Sequence, residues 1–214
     1  MSLSSWVYLF RHGRSASNEQ AGVICGRCEL TPLVEQGVAE AAELGRHLLR
    51  SGLAPSSIFS SPTVRARSTA KVALATAEIS MSVIEDERLH EQCVGMWVGK
   101  LGVEVFTDDC LLKIEKAGKD FRPPNGESMN DVGRRMLAWL TDISLDVDDG
   151  PVLAFTHGGA IRALASTIHD WSHARTYATR PPNASVSLLR RRAGGWHAEY
   201  LGRHAAEAFT SVVE

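Results

Sequence analysis

Three short segments of the sequence each bring an imidazole or a guanidinium next to small residues. They are Arg11-His12-Gly13, Ser60-Ser61-Pro62 with Arg65 close behind, and Thr156-His157-Gly158-Gly159. A neutral imidazole is a competent nucleophile near neutral pH, because its ordinary pKa is about 6.5. A guanidinium presents a fork of donors that fits phosphate oxygens. Together these residue types favour phosphoryl transfer through a histidine.

The first two segments have local features that suit this chemistry. Gly13 leaves backbone room beside the imidazole that precedes it. Ser61 and Pro62 predict the N-cap and the first position of a helix. Arg65 would then lie in the first turns of that helix, where the helix dipole also favours an anion.

The third segment would open a later helix. Gly158 would offer a backbone N–H to a phosphate, and a protonated His157 would stabilise charge on a transferring phosphoryl group. Taken singly, each segment has an ordinary explanation, since a histidine after a strand is usually a packed polar residue and Gly-Gly is often only a turn. The functional interpretation therefore depends on the three segments meeting at one place.

The elements that must position these segments alternate between short apolar runs and longer helical patterns. Short apolar or alternating runs predict strands over 6–10, 57–60, 151–155, 184–190 and 196–201. Apolar residues at helical spacing predict helices over 37–49, 62–76, 103–117, 129–143 and 160–169.

Strand followed by helix, repeated, is typical of a three-layer α/β/α domain with a mostly parallel central sheet. Ligands of such folds bind outside the carboxyl ends of the strands. His12, Ser61 and His157 each follow a predicted strand closely, so we expect them to converge at one edge of the sheet. The sequence predicts a single domain over residues 1–214, with a small cap of loops and one helix inserted at about 89–124.

Composition and charge argue against several classes of protein. The 214 residues are 44% hydrophobic and 22% charged, and the formal net charge is −2, so there is no overall basic field for nucleic acid or anionic lipid. No run approaches the ~20 apolar residues of a membrane-spanning helix. The apolar run that ends at Phe10 is too short for a secretory signal. We expect a cytoplasmic protein with neither nucleic acid nor membrane as a partner.

The ordered set of segments resembles the histidine phosphatase superfamily, the phosphoglycerate mutase-like proteins. The similarity runs from about Val7 to Leu189. It rests, in chain order, on Leu9-Phe10-Arg11-His12-Gly13-Arg14-Ser15-Ala16-Ser17-Asn18, Leu30-Thr31-Pro32-Leu33, Ser60-Ser61-Pro62 with Arg65 and Thr69-Ala70, Leu89-His90-Glu91 with Gly95, Trp97 and Gly99, Gly126-Glu127-Ser128 with Arg134, and Thr156-His157-Gly158-Gly159 with Arg162.

The resemblance implies a role for each matching residue. His12 would be the phosphorylated nucleophile. Glu91 would protonate the leaving oxygen and then activate the attacking water. The phosphoryl oxygens would be surrounded by Arg11, Asn18, Arg65 and His157. We expect neither a metal ion nor a cofactor in this reaction.

The assignment of Glu91 has rivals in Glu85, Asp86 and Glu87, which precede it closely. Only the spacing to Gly95, Trp97 and Gly99 favours Glu91. The sequence also departs from the family pattern at two positions. Arg14 stands where Glu or Gln is more usual and would add a positive group at the mouth of the pocket. Val34 replaces a Thr and removes a cap from the first long helix.

Cys25 and Cys28 form a Cys-x-x-Cys pair that could be redox-active or half of a zinc site. The pair does not follow a strand directly and no second pair exists, so both roles are disfavoured. The remaining histidines without an argued partner are expected to be surface or packing residues: His169, His173, His197 and His204.

Three functions are compatible with this set of residues. Mutases of the family usually carry a longer insertion between the glutamate and the Gly-Glu-Ser element, so the short stretch here favours a phosphatase over a cofactor-dependent phosphoglycerate mutase. An inactive binding or regulatory homologue is disfavoured because every catalytic residue type is present.

The substrate is expected to be a small phosphorylated metabolite, an acid or a sugar, because the cap and the 14–27 loop hold the cations Arg14, Arg27, Lys100 and Arg122. The sequence also allows a homodimer.

Overall fold

The computed structural model describes residues 6–143 and 150–209, so residues 1–5 of the N-terminal run lie outside it. Over the described residues one sheet has the order β3-β2-β4-β1-β5-β6. The strands β3, β2, β4 and β1 pair in parallel. The β1–β5 and β5–β6 pairs are antiparallel. The strands are β1 (Trp6–Arg11), β2 (Ser57–Ser60), β3 (Val83–Glu85), β4 (Val152–Thr156), β5 (Val186–Arg192) and β6 (Gly195–Arg203). The predicted α/β fold with a mostly parallel sheet is confirmed.

The helices alternate with the strands along most of the chain. They are α1 (Ala16–Glu19), α2 (Glu35–Ser51), α3 (Val64–Thr76), α4 (Gly102–Val105), α5 (Asp108–Ala117), α6 (Met129–Asp142), α7 (Gly158–His169), α8 (His173–Ala178) and α9 (Ala205–Ala208). Single 3₁₀ turns lie at Glu87–Leu89, Gly95–Trp97 and Gly118–Asp120. None of the helices in the described part of the chain has the length and apolarity of a membrane span.

Helices cover both faces of the sheet, which makes three layers. Val7 and Leu9 of β1 pack with α6 and α7 in one apolar core, whereas Tyr8 and Phe10 pack with α2, α3 and α9 in the other. β4 alternates in the same way and its five residues are all buried. Alternate residues of a strand point to opposite faces, so the continuous apolar runs predicted as strands are those buried on both faces.

The helix after β2 begins two residues later than predicted. Thr63, not Ser61, is the residue before its first turn, and Val64 rather than Pro62 is the first helical residue. The side chain of Ser61 is fully buried and hydrogen-bonds to histidines instead of capping the helix. Arg65 still lies in the first turn, as expected.

The predicted helix 103–117 is wrong, because α4 and α5 replace it. Phe106 and Thr107 separate the two helices, and the backbone of Phe106 is not helical. The Thr107 hydroxyl accepts the Cys110 N–H at 3.3 Å and so caps α5, a role for which Thr is well suited. The Phe106 ring meets Trp97 edge to face with centroids 5.6 Å apart, so packing inside the cap favours the break.

The start of α2 agrees with the expectation from the sequence. The helix follows Val34, which makes no side-chain capping bond, and it ends at Gly52 in the left-handed conformation. Short elements without a clear apolar pattern were not predicted, namely β3 at the sheet edge and helices α1, α4, α8 and α9.

Candidate active site

The carboxyl ends of three neighbouring strands bring the predicted segments together. His12 follows β1, Ser61 follows β2 and His157 follows β4, in the spatial order β2-β4-β1. The His12 N–H donates to the Thr156 carbonyl at 3.0 Å, and the Ser61 N–H donates to the Phe155 carbonyl at 2.9 Å. Backbone pairing therefore continues one residue past each strand and fixes where these side chains start.

The His12 ring is held in one tautomer. Its Nδ1 lies 2.7 Å from the Gly13 carbonyl, which can only accept, so Nδ1 carries the proton. Nε2 then has the lone pair, and Arg65 Nε donates to it at 3.2 Å. Burial, and then the charges of Arg65 and Arg11, lower the pKa of His12 to about 3. At neutral pH the ring is therefore uncharged, with the nucleophilic lone pair on Nε2.

Backbone carbonyls hold the two arginines beside this ring. Arg65 is 2% exposed and donates to the Cys28 carbonyl and, at 3.2 Å, to the Gly26 carbonyl. Arg11 donates to the Pro181 carbonyl at 2.6 Å. Carbonyl oxygens orient a guanidinium without neutralising it, so both cations keep their charge for an anion.

His157 is fully buried, and its ring centroid lies 5.1 Å from that of His12. Burial first, and then the Arg65 charge, place the pKa of His157 well below its ordinary value. The ring of the free protein is thus neutral at neutral pH, in contrast to the protonated imidazole expected from the sequence. A neutral ring still has one N–H to donate.

The Ser61 hydroxyl lies between two histidine rings, which sequence reasoning missed. It is 2.9 Å from His157 Nε2 and 3.3 Å from His90 Nδ1, and Thr63 Oγ1 is 3.3 Å from the same His157 nitrogen. His157 Nδ1 is buried and has no hydrogen-bond partner among the described residues. With Nε2 occupied by hydroxyls, Nδ1 is the ring atom left for a bound group.

Asn18 is oriented by the donors around its carbonyl oxygen. Its Oδ1 accepts from the Ser15 N–H and hydroxyl, each at 3.0 Å, and from Asn183 Nδ2 at 3.3 Å. Since Oδ1 is occupied by these donors, the amide nitrogen is the atom of this side chain left to donate to a group bound in the cavity that Asn18 lines. Asn183 also donates to the His12 carbonyl at 3.1 Å. It was not predicted, because it lies 171 residues from His12 in sequence and belongs to no apolar pattern.

The Glu91 carboxylate is tied to the start of α7. It accepts the Gly159 N–H at 3.0 Å and the Gln92 N–H at 2.8 Å. A Cβ on Gly159 would lie 2.0 Å from Glu91 Oε1, so a larger residue at this position would displace the carboxylate. The N–H of Gly159, next to the Gly158 N–H that the sequence suggested for phosphate binding, is therefore used to position the carboxylate.

Ion pairs fix the backbone that carries Glu91. Arg135 donates to the carbonyls of Arg88 and His90 at 2.7 Å and of Glu91 at 3.1 Å. It also pairs with Glu127 at 2.9 Å. Burial alone would raise the pKa of Glu127, but Arg135 and the Cys93 N–H outweigh it and hold the pKa below its ordinary value. The Gly-Glu-Ser element thus supports the site indirectly, because its Glu127 holds Arg135, and Arg135 holds the backbone that carries Glu91.

Most of the predicted residues line one cavity of about 290 Å³. The shared lining contains Arg11, His12, Asn18, Arg65 and Glu91. His157 lies behind it, against the His12 ring. Gly158 lines a second cavity of about 470 Å³, which has Arg11, Glu91 and Arg162 in common with the first. The two cavities are therefore parts of one continuous cleft.

The cations that the sequence suggested for specificity are mostly engaged elsewhere. Arg14 pairs with Glu19 at 2.6 Å, Arg27 pairs with Glu127 at 3.1 Å, and Arg122 pairs with Asp131. None of these arginines, nor Lys100, lines either cavity in the described part of the chain.

The four cysteines are free thiols. Cys28 Sγ donates to the Cys25 carbonyl at 2.9 Å. Within residues 6–143 and 150–209, no group of three or more His, Cys, Asp or Glu side chains is placed to hold a metal ion. His169 and His173 pack against the aromatic residues Trp171 and Tyr177.

Comparison with known proteins agrees with this geometry. A family model described as histidine phosphatase superfamily (branch 1) matches residues 7–204. A 2,3-bisphosphoglycerate-dependent phosphoglycerate mutase of Leifsonia xyli subsp. xyli is 33% identical over 195 residues, which cover 77% of each chain.

Two solved structures are similar in fold and sequence. A mycobacterial glucosyl-3-phosphoglycerate phosphatase complexed with VO3 is 26% identical, with a TM-score of 0.76 over 92% of this chain and 98% of that one. A phosphoglycerate mutase of Bacillus anthracis is 25% identical, with a TM-score of 0.77 over 97% of both chains.

The protonation state of His12 leads to a first prediction. Because its pKa lies at about 3, the ring carbon resonance of His12 should not titrate between about pH 5 and 8, where an ordinary histidine does. NMR of histidine-labelled protein tests this, with the resonance assigned by its loss in His12→Ala. The unfolded chain takes up this proton below about pH 6.5, so the contribution to stability is lost as the pH falls from there towards 3. A midpoint near 6.5 in the folded protein would contradict this electrostatic account.

The contact between Gly159 and Glu91 leads to a second prediction. Gly159→Ala should displace the carboxylate and slow turnover of an alkyl phosphate such as benzyl phosphate by about a hundredfold or more. It should slow p-nitrophenyl phosphate much less, because nitrophenolate leaves without a proton. The kcat/KM of each substrate measures the difference, because it reports the steps up to release of the alcohol and not the later attack of water, in which Glu91 also acts. Gly194→Ala is the matched control, since its Cβ would meet open space. Equal losses on both substrates would argue against Glu91 as the proton donor.

Proposed function

The chain belongs to the histidine phosphatase superfamily, and from that premise we propose that it hydrolyses a small phosphomonoester through a phosphohistidine at His12. The observation that carries the proposal is the ring of His12, which is neutral and bears its lone pair on Nε2 beside Arg65. No proton has to be removed before such a nitrogen attacks. The relatives are named as phosphatases and mutases of phosphorylated small molecules, which supports the same chemistry.

In the first step, His12 Nε2 attacks phosphorus and the bond from phosphorus to the substrate oxygen breaks. Glu91, in its acid form, gives its proton to the departing oxygen, so an alcohol leaves. Arg11, Arg65 and the amide of Asn18 donate to the phosphoryl oxygens while charge spreads over them. The N–H of the neutral His157 ring adds a further donor. The step yields a phosphohistidine and a carboxylate at Glu91.

In the second step, water enters from the side that the alcohol has left. The Glu91 carboxylate takes one proton from it as its oxygen attacks phosphorus. The bond between phosphorus and Nε2 breaks, the lone pair returns to His12, and inorganic phosphate is released. Glu91 and His12 end in their starting states, so neither a metal ion nor a cofactor enters this scheme.

The cavity of about 290 Å³ that His12 lines, called the catalytic cavity from here on, adjoins the cavity of about 470 Å³ beside Glu91. This arrangement favours hydrolysis over transfer to a second hydroxyl. This space lets the alcohol depart and admits water to the same face. The alternative is a 2,3-bisphosphoglycerate-dependent phosphoglycerate mutase, which the 33% identity to an enzyme of that name favours. A mutase would use the same first step and return the phosphoryl group to its substrate.

The covalent intermediate leads to a third prediction. Mixing the protein with p-nitrophenyl phosphate in EDTA should give turnover. If the reaction is stopped by alkaline denaturation instead of acid, a phosphorylated peptide containing His12 should be preserved. His12→Ala should lower turnover by about a thousandfold or more and abolish the label. His204→Ala, at an exposed position outside both cavities, is the control. Label on another residue, or turnover lost in EDTA, would contradict the mechanism.

A fourth prediction separates the two enzymes. Incubation with 3-phosphoglycerate and a trace of 2,3-bisphosphoglycerate should release inorganic phosphate, if any product forms, and should not accumulate 2-phosphoglycerate. Phosphorus NMR follows all the species in one sample. Rapid formation of 2-phosphoglycerate that depends on the bisphosphate would establish the mutase instead.

A further inference from the structure

The cavity of about 470 Å³ beside the catalytic cavity is where the leaving group of a substrate has to lie. It shares Glu91 with the catalytic cavity, and the proposed proton transfer requires the substrate oxygen to sit next to that carboxylate. Cavities of ~300–1,000 Å³ are typical of small-molecule sites. The residues that line this cavity therefore determine which alcohol can bind as the leaving group.

One wall is aromatic and comes from the cap. The Trp97 ring stacks on Phe121 with centroids 5.6 Å apart and planes 29° from parallel, and it meets Phe106 edge to face at 5.6 Å. All three rings line the cavity, and Ile114 and Pro123 extend the same surface. Such a wall offers little to a glycerol-like polyol and contacts a flat or apolar body over a large area.

A second wall is cationic and comes from α7 and the segment after α8. The Arg162 guanidinium lies 5.0 Å from the Tyr177 ring centroid, and its Nε is buried without a hydrogen-bond partner among the described residues. Arg180 lines the same cavity and is exposed. Neither arginine forms an ion pair within residues 6–143 and 150–209, unlike Arg14, Arg27 and Arg122.

The balance of charge leaves these two cations for the substrate. Among the described residues that line either cavity, Glu91 is the only acidic one, and its carboxylate already accepts two backbone N–H groups. Arg11 and Arg65 are proposed to bind the transferred phosphoryl group. Arg180, which lines the larger cavity but not the one that holds His12, and Arg162, which lies where the two cavities meet, are then left for a separate part of the substrate.

From these two walls, and on the basis of the proposed function, we infer that the preferred substrate is the phosphomonoester of an alcohol with an apolar, ring-like body and a second anionic group such as a carboxylate. The ring lies against Trp97, and the anion lies against Arg162 and Arg180.

Four alkyl phosphates test the two features separately. Glycerol 3-phosphate has neither feature, 3-phosphoglycerate has the carboxylate, benzyl phosphate has the ring, and 4-carboxybenzyl phosphate has both. All four release alcohols, so Glu91 is needed equally. The kcat/KM should be highest for 4-carboxybenzyl phosphate, and about tenfold or more above benzyl phosphate, as one charge-assisted hydrogen bond would produce.

Variants assign each preference to a wall. Arg180→Gln should reduce the ratio of kcat/KM between 4-carboxybenzyl and benzyl phosphate towards one. Trp97→Leu should reduce the ratio between 4-carboxybenzyl phosphate and 3-phosphoglycerate. Arg50→Gln, an exposed change of equal charge on α2 outside both cavities, should leave the ratios unaltered and so exclude a general effect of net charge.

The results separate this inference from the proposed function. Turnover of all four compounds at similar kcat/KM, with ratios insensitive to Arg180→Gln, would overturn the substrate class and leave the phosphatase intact. If no compound is turned over, calorimetry on the His12→Ala protein decides. Tighter binding of 4-carboxybenzyl phosphate than of benzyl phosphate, lost in Arg180→Gln, would support the cavity assignment without hydrolysis, and equal binding would overturn it.

Discussion

The parallel pairing of β2, β4 and β1 is the constraint on which the site depends. Phe10 pairs with Phe155, and Phe155 pairs with Ser60, so the three strands end level with one another. Both faces of β4 are buried, and a slip of one residue would exchange its apolar side chains between the two helical layers. The core therefore sets this register, and it thereby brings together His12, Ser61 and His157.

Buried Arg65 and half-buried Arg11 would repel the neighbouring imidazoles if these were charged, and the fold avoids this repulsion by keeping the imidazoles neutral. Burial and the charges of Arg65 and Arg11 lower the pKa of His12, and burial with Arg65 does the same for His157. The carbonyls of Gly26, Cys28 and Pro181 orient the arginines without cancelling their charge. An anion with two negative charges then finds two cations and several neutral donors, which is a better match than four cations would be.

How far the sequence could predict this site depends on what positions each residue. The surroundings of His12, Arg65 and His157 follow from apolar strands and a helix start, so local patterns placed them correctly. Ser61 was expected to cap a helix because its local sequence suits one, but a hydrogen bond to His157, 96 residues away, uses its hydroxyl instead. Asn183 and Arg180 reach the site through the chain's return to the same edge of the sheet, which no local spacing records. The break at Phe106 likewise depends on the Trp97 ring, with which it packs across the cap.

The electrostatics of His12 also determine what is left for Glu91 to do. In many hydrolases a base must first take a proton from the nucleophile, whereas here the attacking nitrogen is already deprotonated at neutral pH. A single carboxyl group can then serve the leaving oxygen and afterwards the water, because these two occupy the same place in turn. That economy requires the carboxyl group to stay on the side of phosphorus opposite His12 throughout the cycle. Two contacts keep it there: the Gly159 N–H, which donates to the carboxylate at 3.0 Å, and the Arg135–Glu127 pair, whose arginine donates to the Glu91 carbonyl.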